Sequence, residues 1–304
     1  MAPERRNPSQ SRPPRRRPPP RRRRANPLLI GLVAVVVAIA AIGLATRGGD
    51  APTSRATADP VIPSVTTQSA TADQLGPRDQ ELVGIGQKGV SIHRAGGRRK
   101  VVALTFDDGP SKDTPSILSI LKQNNVPATF FVVGREIQAH PEVLGQEIAQ
   151  GSQIGIHTWD HQDMTKLSSA KQQTQIVDTQ NAIVNATGTP SRLFRAPYGA
   201  VSPSVIATAE KNKLLSVLWE TDTNDWQRPD AATIVQRVMS QVTPGTIILL
   251  HDGGGERANT VAALPTIIKE LKKQGYDFAT VGDLVISDPP TASDMSVDGK
   301  GVTE

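Results

Sequence analysis

The sequence contains no cysteine. Disulfides, thiolate metal sites, catalytic thiols and a lipid-bearing cysteine anchor are thereby excluded. Aromatics are scarce: there are ten in 304 residues, all between Phe106 and Phe278. One globular domain therefore occupies the middle and C-terminal part of the chain, flanked by segments that bury little. Acidic residues are almost missing from the N-terminal end. Residues 1–47 hold eleven arginines, no lysine and a single acid, Glu4, whereas the remainder has 23 basic against 28 acidic residues. The net charge of +5 thus describes a basic arm on a mildly acidic body. That body lacks the basic face that nucleic-acid binding needs, so no nucleic-acid partner is expected.

The arm, residues 1–25, is rich in Arg and Pro. A like-charged, proline-rich chain cannot pack and reads as a disordered tail. Leu28 to Ala45 then runs 18 residues without a charge, about 27 Å as a helix and close to a bilayer core. We read 26–46 as a transmembrane signal anchor in contact with the lipid bilayer through residues 28–45. Ten arginines before it and one after it orient the N-terminus to the cytoplasm and the body to the outside. The competing reading is a signal peptide cleaved after Ala45. Residues 47–97, rich in Thr, Ser, Ala, Pro and Gly, read as a flexible linker with a short lead-in strand in 89–94. Residues 286–304 read as a polar, disordered tail. The expected location is a single-pass protein of the cell membrane with its body facing the cell wall.

The body, 98–285, alternates apolar runs with amphipathic stretches. Strands are expected at 101–106, 128–133, 153–158, 192–195, 214–220, 246–251 and 276–280. Helices are expected at 115–125, 141–150, 170–187, 203–212, 231–242 and 260–274, several opened by Pro or closed by Gly. Seven strands alternating with helices imply an α/β fold with a parallel sheet. A distorted (β/α) barrel of about seven strands is the first choice, with an open doubly wound sheet as the alternative.

Polar residues gather at the C-terminal ends of these strands. Val101–Thr105 runs into Asp107-Asp108-Gly109-Pro110, adjacent carboxylates that repel unless a cation or proton lies between them. DDGP is also ordinary turn chemistry. The third strand leads into His157-Thr158-Trp159-Asp160-His161, whose i, i+4 imidazoles share a side on a helical turn. With a carboxylate from the first strand they form a two-His, one-carboxylate set suited to a divalent transition metal, zinc by default in hydrolysis. The fourth strand leads into Arg195-Ala196-Pro197-Tyr198, the fifth into Asp222 to Trp226, and the sixth ends on His251. Singly, each has a bland reading as a turn, a loop or a satisfied side chain. Five such stretches at the same end of successive strands do not arise independently.

In order and spacing, TFDDGP, HTWDH, RAPY, DTNDW and LLH resemble the five motifs of the NodB-homology polysaccharide deacetylases, carbohydrate esterase family 4. The likeness covers about 99–285. It implies a distorted barrel and metal-dependent deacetylation of a glycan polymer, most simply the N-acetyl sugars of peptidoglycan given the expected anchor. It also implies roles: Asp107 as catalytic base, Asp108, His157 and His161 as ligands of Zn²⁺ (Co²⁺ or similar being possible), and Arg195 as the residue that orients the base. Tyr198, with Pro197, would serve the oxyanion, Trp226 would wall the acetyl pocket, and Asp225 would tune His251, the general acid. The partner implied is an acetylated glycan, and the protein is expected to be a monomer. Chitooligosaccharide deacetylase, O-acetyl-xylan esterase and a non-catalytic glycan-binding module are the alternatives. One departure stands out: Ile156 precedes His157 where relatives often carry Asn, which would remove one hydrogen bond behind the metal. His93 and His140 match no motif.

Overall fold

A computed structural model describes residues 75–297. The arm, the anchor stretch 26–46, most of the expected linker and the last seven residues lie outside the described residues. Among the described residues no helix is long and apolar enough to cross a membrane.

The body is an α/β fold whose curled, largely parallel sheet is built around β2 (Val101–Asp107). On one side β2 pairs with β3 (Thr129–Val132), followed by β4 (Gln153–Ile156), β5 (Leu193–Phe194) and β6 (Leu215–Val217), all parallel. On the other side it pairs with β8 (Ile247–His251), which carries β7 (Thr221–Asp222). The stretch expected as one strand at 214–220 is divided. Its first part, β6, pairs with β5, and β7, beginning four residues after β6 ends, pairs with β8 at the other end of the sheet. The curl therefore brings the two arms of the sheet onto one run of chain. The last expected strand shrinks to β9 (Asp277–Phe278), paired with the start of β2.

Alternation along each strand sorts the side chains into two sets. Val102, Leu104 and Phe106 of β2, with Ile248 and Leu250 of β8, face outward into the core shared with the helices. Val101 and Ala103, with Ile247, Leu249 and Phe131, face inward. By the same period of two, Asp107 and His251 fall on the inward face, as do His157 just after β4 and Arg195 just after β5. Outward apolar residues meet α2 (Thr114–Asn124), α3 (Gly134–Ala139), α4 (Pro141–Ala149), α5 (Ser169–Thr187), α6 (Pro203–Lys211), α7 (Ala231–Gln241) and α8 (Ala258–Lys273). Their starts carry the expected chemistry: Ser168, Ser202 and Asp230 each accept a backbone N–H of the first turn.

The folded part begins earlier and ends later than the sequence suggests. Helix α1 (Pro77–Gly86) occupies what reads as linker, and β1 (Ser91–Ile92) falls in the expected lead-in strand at 89–94. Helix α9 (Val281–Ser287), not expected as an element, runs two residues into the expected tail, and β10 (Met295–Ser296) lies within it. Strand β10 pairs antiparallel with β1, and Asp288 accepts from Arg98 Nε at 2.7 Å and from the Arg98 backbone N–H at 2.7 Å. Helix α1 buries only Leu82, Val83 and Gly86, too few apolar positions to draw a stripe in the sequence.

One core residue breaks the apolar rule. Glu147 on α4 is fully buried, and neither carboxyl oxygen has a hydrogen-bond partner among the described residues. Burial pushes its carboxyl well above the usual range. An acid raised by burial carries no ionisation cost below its unfolded pKa, and stability is lost as pH rises from there toward the folded value. Glu147→Leu is expected to raise stability by about 1–3 kcal/mol, with a larger gain at pH 8 than at pH 5 in denaturant titrations. A variant less stable than the parent at both pH values would show that the carboxyl is satisfied.

Candidate active site

The sheet register brings the inward polar residues to one level. Asp107 lies opposite His251 across β2 and β8, and Ile156 and Phe194, each just before a site residue, lie opposite each other across β4 and β5. Their side chains open into a cavity of about 460 Å³ walled by Asp107, Asp108, His157, His161, Trp226 and His251, with Tyr198 at its edge. Tyr198 and Trp226 are the large exposed aromatics there, 70% and 51% accessible.

Asp107 is buried, and its Oδ1 accepts from Arg195 Nη1 at 2.7 Å. Arg195 is wholly buried. It also donates to Thr105 Oγ1 at 2.8 Å and to the carbonyls of Val217 and Leu218, and its guanidinium stacks 4.0 Å from the Phe131 ring centroid. Gly155 makes that stack possible, because a Cβ there would run into the Phe131 ring. Arg195 therefore lies behind Asp107 and does not line the cavity. Pro197 does not line it either, being buried in the turn that carries Tyr198.

Asp108 leaves the strand in the left-handed region, φ 73°, which turns its carboxylate away from that of Asp107. Its Oδ1 is buried without a hydrogen-bond partner, 3.5 Å from His157 Nε2 and 3.1 Å from His161 Nε2. Burial lowers the His157 pKa, so the ring is neutral at pH 7. Its Nδ1 lies 2.8 Å from the Arg195 carbonyl, a contact only an N–H can make, so the Nε2 lone pair faces Asp108. A lone pair opposed to a carboxylate oxygen is repulsive unless a cation sits between them. Ligand atoms of Asp108, His157 and His161 all lie within 4.8 Å of one another. The donor set and the unpartnered oxygen both fit a divalent metal. Burial would raise the Asp108 pKa, but His161 and the other imidazoles outweigh it and hold the carboxyl well below the usual range.

The imidazole pair does not sit on a helical turn. Thr158 and His161 have φ of 67° and 59°, and the loop is shaped from outside. Gln175 Oε1 on α5 accepts from the Trp159 and Asp160 backbone N–H groups at 2.7 and 3.2 Å. Loop closure, in place of helical periodicity, brings the two rings to 5.1 Å. Ile156 costs His157 nothing, since it faces the outer core and the ring is oriented by a backbone carbonyl.

His251 Nδ1 lies 2.7 Å from Asp225 Oδ1. The second oxygen of Asp225 accepts the His251 backbone N–H at 3.0 Å and Thr260 Oγ1 at 2.6 Å. Burial would lower the His251 pKa, but the Asp225 hydrogen bond and charge outweigh it and raise it to about 9. Asp225 is 1% exposed and acts from behind His251.

Three lining residues escaped the sequence reading: Trp219, Gly254 and Arg257. Asp222, singled out after the fifth strand but given no role, also lines the cavity, opposite Leu249, two residues before His251. The triple glycine at 253–255 was a signal for the other end of the wall. A Cβ at Gly254, where φ is 69°, would collide with Asp108 Oδ2. Asp108, His161 and Gly254 also border a second cavity of about 340 Å³ with Arg135, Glu136 and Asp160.

Comparison with known proteins agrees with this geometry. Residues 94–217 match the family described as polysaccharide deacetylase. The chain is 41% identical over 186 residues to the peptidoglycan-N-acetylglucosamine deacetylase PgdA of Listeria monocytogenes, covering 61% of this chain but only 39% of that protein. It is 40% identical over 189 residues to a peptidoglycan-N-acetylglucosamine deacetylase of Bacillus cereus, covering 61% of this chain and 88% of that one. A crystal structure of a peptidoglycan N-acetylglucosamine deacetylase in complex with 4-naphthalen-1-yl-N-oxidanyl-benzamide superposes with a TM-score of 0.62 at 34% identity, over 63% of this chain and 91% of that one. With an Asp/His/His set, a buried Arg–Asp pair and an Asp–His pair around one cavity, the chain belongs to the polysaccharide deacetylase family.

Proposed function

We propose that this chain is a metal-dependent hydrolase that removes N-acetyl groups from a cell-wall polysaccharide, most specifically peptidoglycan. The observation that carries this reading is the meeting of three groups in one cavity: Asp107 with Arg195, the Asp108–His157–His161 set, and His251 with Asp225. Amide hydrolysis needs a base for the attacking water, stabilisation of the oxyanion and an acid for the leaving amine. Arg195 occupies Asp107 Oδ1 and leaves Oδ2 to take the proton of a water as its oxygen bonds to the acetyl carbon. Asp108, His157 and His161 would hold a divalent cation, zinc by donor type, which supplies Lewis acidity toward the carbonyl and the water. Tyr198 would offer its backbone N–H to the oxyanion. As the C–N bond breaks, the amine takes a proton from His251 Nε2, while Asp225 fixes Nδ1 and steadies the imidazolium. Trp226 would wall the acetyl group. The products are a free amine on the sugar and acetate.

The preference for peptidoglycan rests on similarity to proteins carrying that name and on the Arg-rich arm and uncharged run at 28–45, which support a membrane-anchored, wall-facing body. Chitin oligomers present the same amide to these residues, and acetylated xylan presents an acetyl ester whose leaving group is an alcohol in place of the amine. A non-catalytic glycan-binding role has no use for a complete set of base, ligands and acid.

The test is acetate release from isolated peptidoglycan, chitin oligomers and acetylated xylan. Activity is expected on peptidoglycan, its loss after chelation, and recovery with added zinc. No release from any of the three with zinc or cobalt supplied would sink the reading.

A further inference from the structure

Arg257 is absent from the reaction as derived, yet its guanidinium lines the same cavity. The residue is 3% exposed. Nε donates to the Gly253 carbonyl at 2.7 Å and Nη1 makes a long contact, 3.4 Å, with the Glu256 carbonyl. Nη2 has no hydrogen-bond partner among the described residues, and no carboxylate there forms an ion pair with this side chain. A buried guanidinium is ordinarily paired. Its backbone N–H, by contrast, is held by Asp113 Oδ2 at 3.0 Å, which fixes where the side chain starts. The position of Nη2 is also specific. A Cβ built on Gly254 would touch Asp108 Oδ2 on one side and lie 3.3 Å from Arg257 Nη2 on the other. Asp108 Oδ2 and Arg257 Nη2 thus both border the place that a side chain at Gly254 would fill.

Elsewhere on the cavity wall Asp107, Asp108 and Asp222 are acidic and His251 is cationic, with Arg195 behind Asp107 and Asp225 behind His251. Arg195 and His251 are each already held by a carboxylate, so neither is free to take up a further anion. Arg257 is the one arginine or lysine of the wall, and its free N–H groups are suited to a carboxylate.

We propose that Arg257 is the carboxylate-binding group of this cavity, holding a small carboxylate in the form of released acetate or of an acid carried by the glycan. The acetate form rests on the hydrolytic reading above. Binding itself does not, so the two can fail separately. Arg257 is thus a positioning and specificity residue rather than a participant in bond breaking.

The test is binding of sodium acetate and of acetamide, its neutral isostere, to the zinc-loaded full chain, followed by NMR titration. Parent, Arg257→Lys and Arg257→Gln are compared. Loss of a charge-assisted hydrogen bond is expected to weaken acetate about 10-fold or more in Arg257→Gln, to leave acetamide within about 2-fold, and to be partly restored in Arg257→Lys. If the parent hydrolyses acetylated glycan, acetate inhibition is expected to weaken in parallel. A raised KM confined to acid-bearing glycans, with acetate binding unchanged, assigns the carboxylate to the substrate. Equal weakening of acetate and acetamide would show that Arg257 merely shapes the Gly253–Gly255 loop and would overturn the proposal, as would unchanged acetate binding together with an unchanged KM on acid-bearing glycan. Acetate binding by a chain that releases no acetate would retain the site and sink the hydrolytic reading alone.

Discussion

Asp107→Asn is expected to lower turnover by about 10²–10⁴-fold, the usual range for losing a general base, while bound zinc stays at the parent level. Asp108→Asn, one residue on, is expected to lose both. The two carboxylates are adjacent in sequence but differently employed. Asp107 Oδ1 is tied to Arg195 at 2.7 Å, whereas Asp108 Oδ1 faces two imidazole nitrogens and has no hydrogen-bond partner. Removing groups behind metal ligands already costs about 10–100-fold in affinity, so losing the carboxylate ligand should exceed that. The measurement is zinc content by elemental analysis beside acetate release. A stability control is needed because Arg195 is wholly buried, and depriving a buried charge of its counter-ion costs about 3–5 kcal/mol. Asparagine still offers an oxygen to Arg195 and should limit that loss. Parent-like turnover in Asp107→Asn would remove Asp107 from the base role. Parent-like zinc in Asp108→Asn would remove Asp108 from the ligand set.

The second large effect belongs to Asp225→Asn. In the parent the imidazolium of His251 persists to about pH 9 because Asp225 outweighs the effect of burial. On the proposed reaction the acid form is the active one, so the alkaline limb of the rate profile is expected near that value. Without the carboxylate the His251 pKa should fall toward the ordinary value of about 6.5. At pH 8 the protonated fraction would drop roughly 30-fold from this shift alone, and the loss should shrink as the pH is lowered to 6. Stability follows the same sign. A histidine raised in the folded state stabilises fully below its unfolded pKa, and the contribution is lost as pH rises through the folded value. The parent should therefore lose stability between about pH 6.5 and pH 9 more steeply than Asp225→Asn. An alkaline limb unmoved by the substitution would mean that some other group donates the proton.

Much of this site was legible because strand periodicity is a strong constraint. Once Val101–Asp107 is a strand with Phe106 outward, Asp107 must point inward, and the same parity delivers His251 from Leu249. The pairing of Asp225 with His251 and of Arg195 with Asp107 was implied by the family resemblance, and complementary charge agrees with it. The geometry of His157 and His161 did not, because it depends on Gln175 of a later helix gripping the loop, a contact that local spacing does not encode. The divided run at 215–222 was hidden for a similar reason. Its residues look like one apolar strand, and only closure of the sheet makes the two ends choose different neighbours. Arg257 was overlooked because a lone arginine after three glycines carries no local pattern. Helix α1 and strand β10 were missed because each buries few side chains and gains its order from elements far away in the chain.

The placement of α1 has a mechanical meaning. Arg78 near its start contacts Thr280 and Asp283 of α9. The first backbone N–H groups of α9 donate to Thr129 Oγ1 at the start of β3 and to Gln153 Oε1 at the start of β4. The catalytic groups sit where those strands finish. The described chain therefore enters at the floor of the sheet. A load applied at Pro77 would be taken up there, at the opposite ends of the strands from Asp107 and His157.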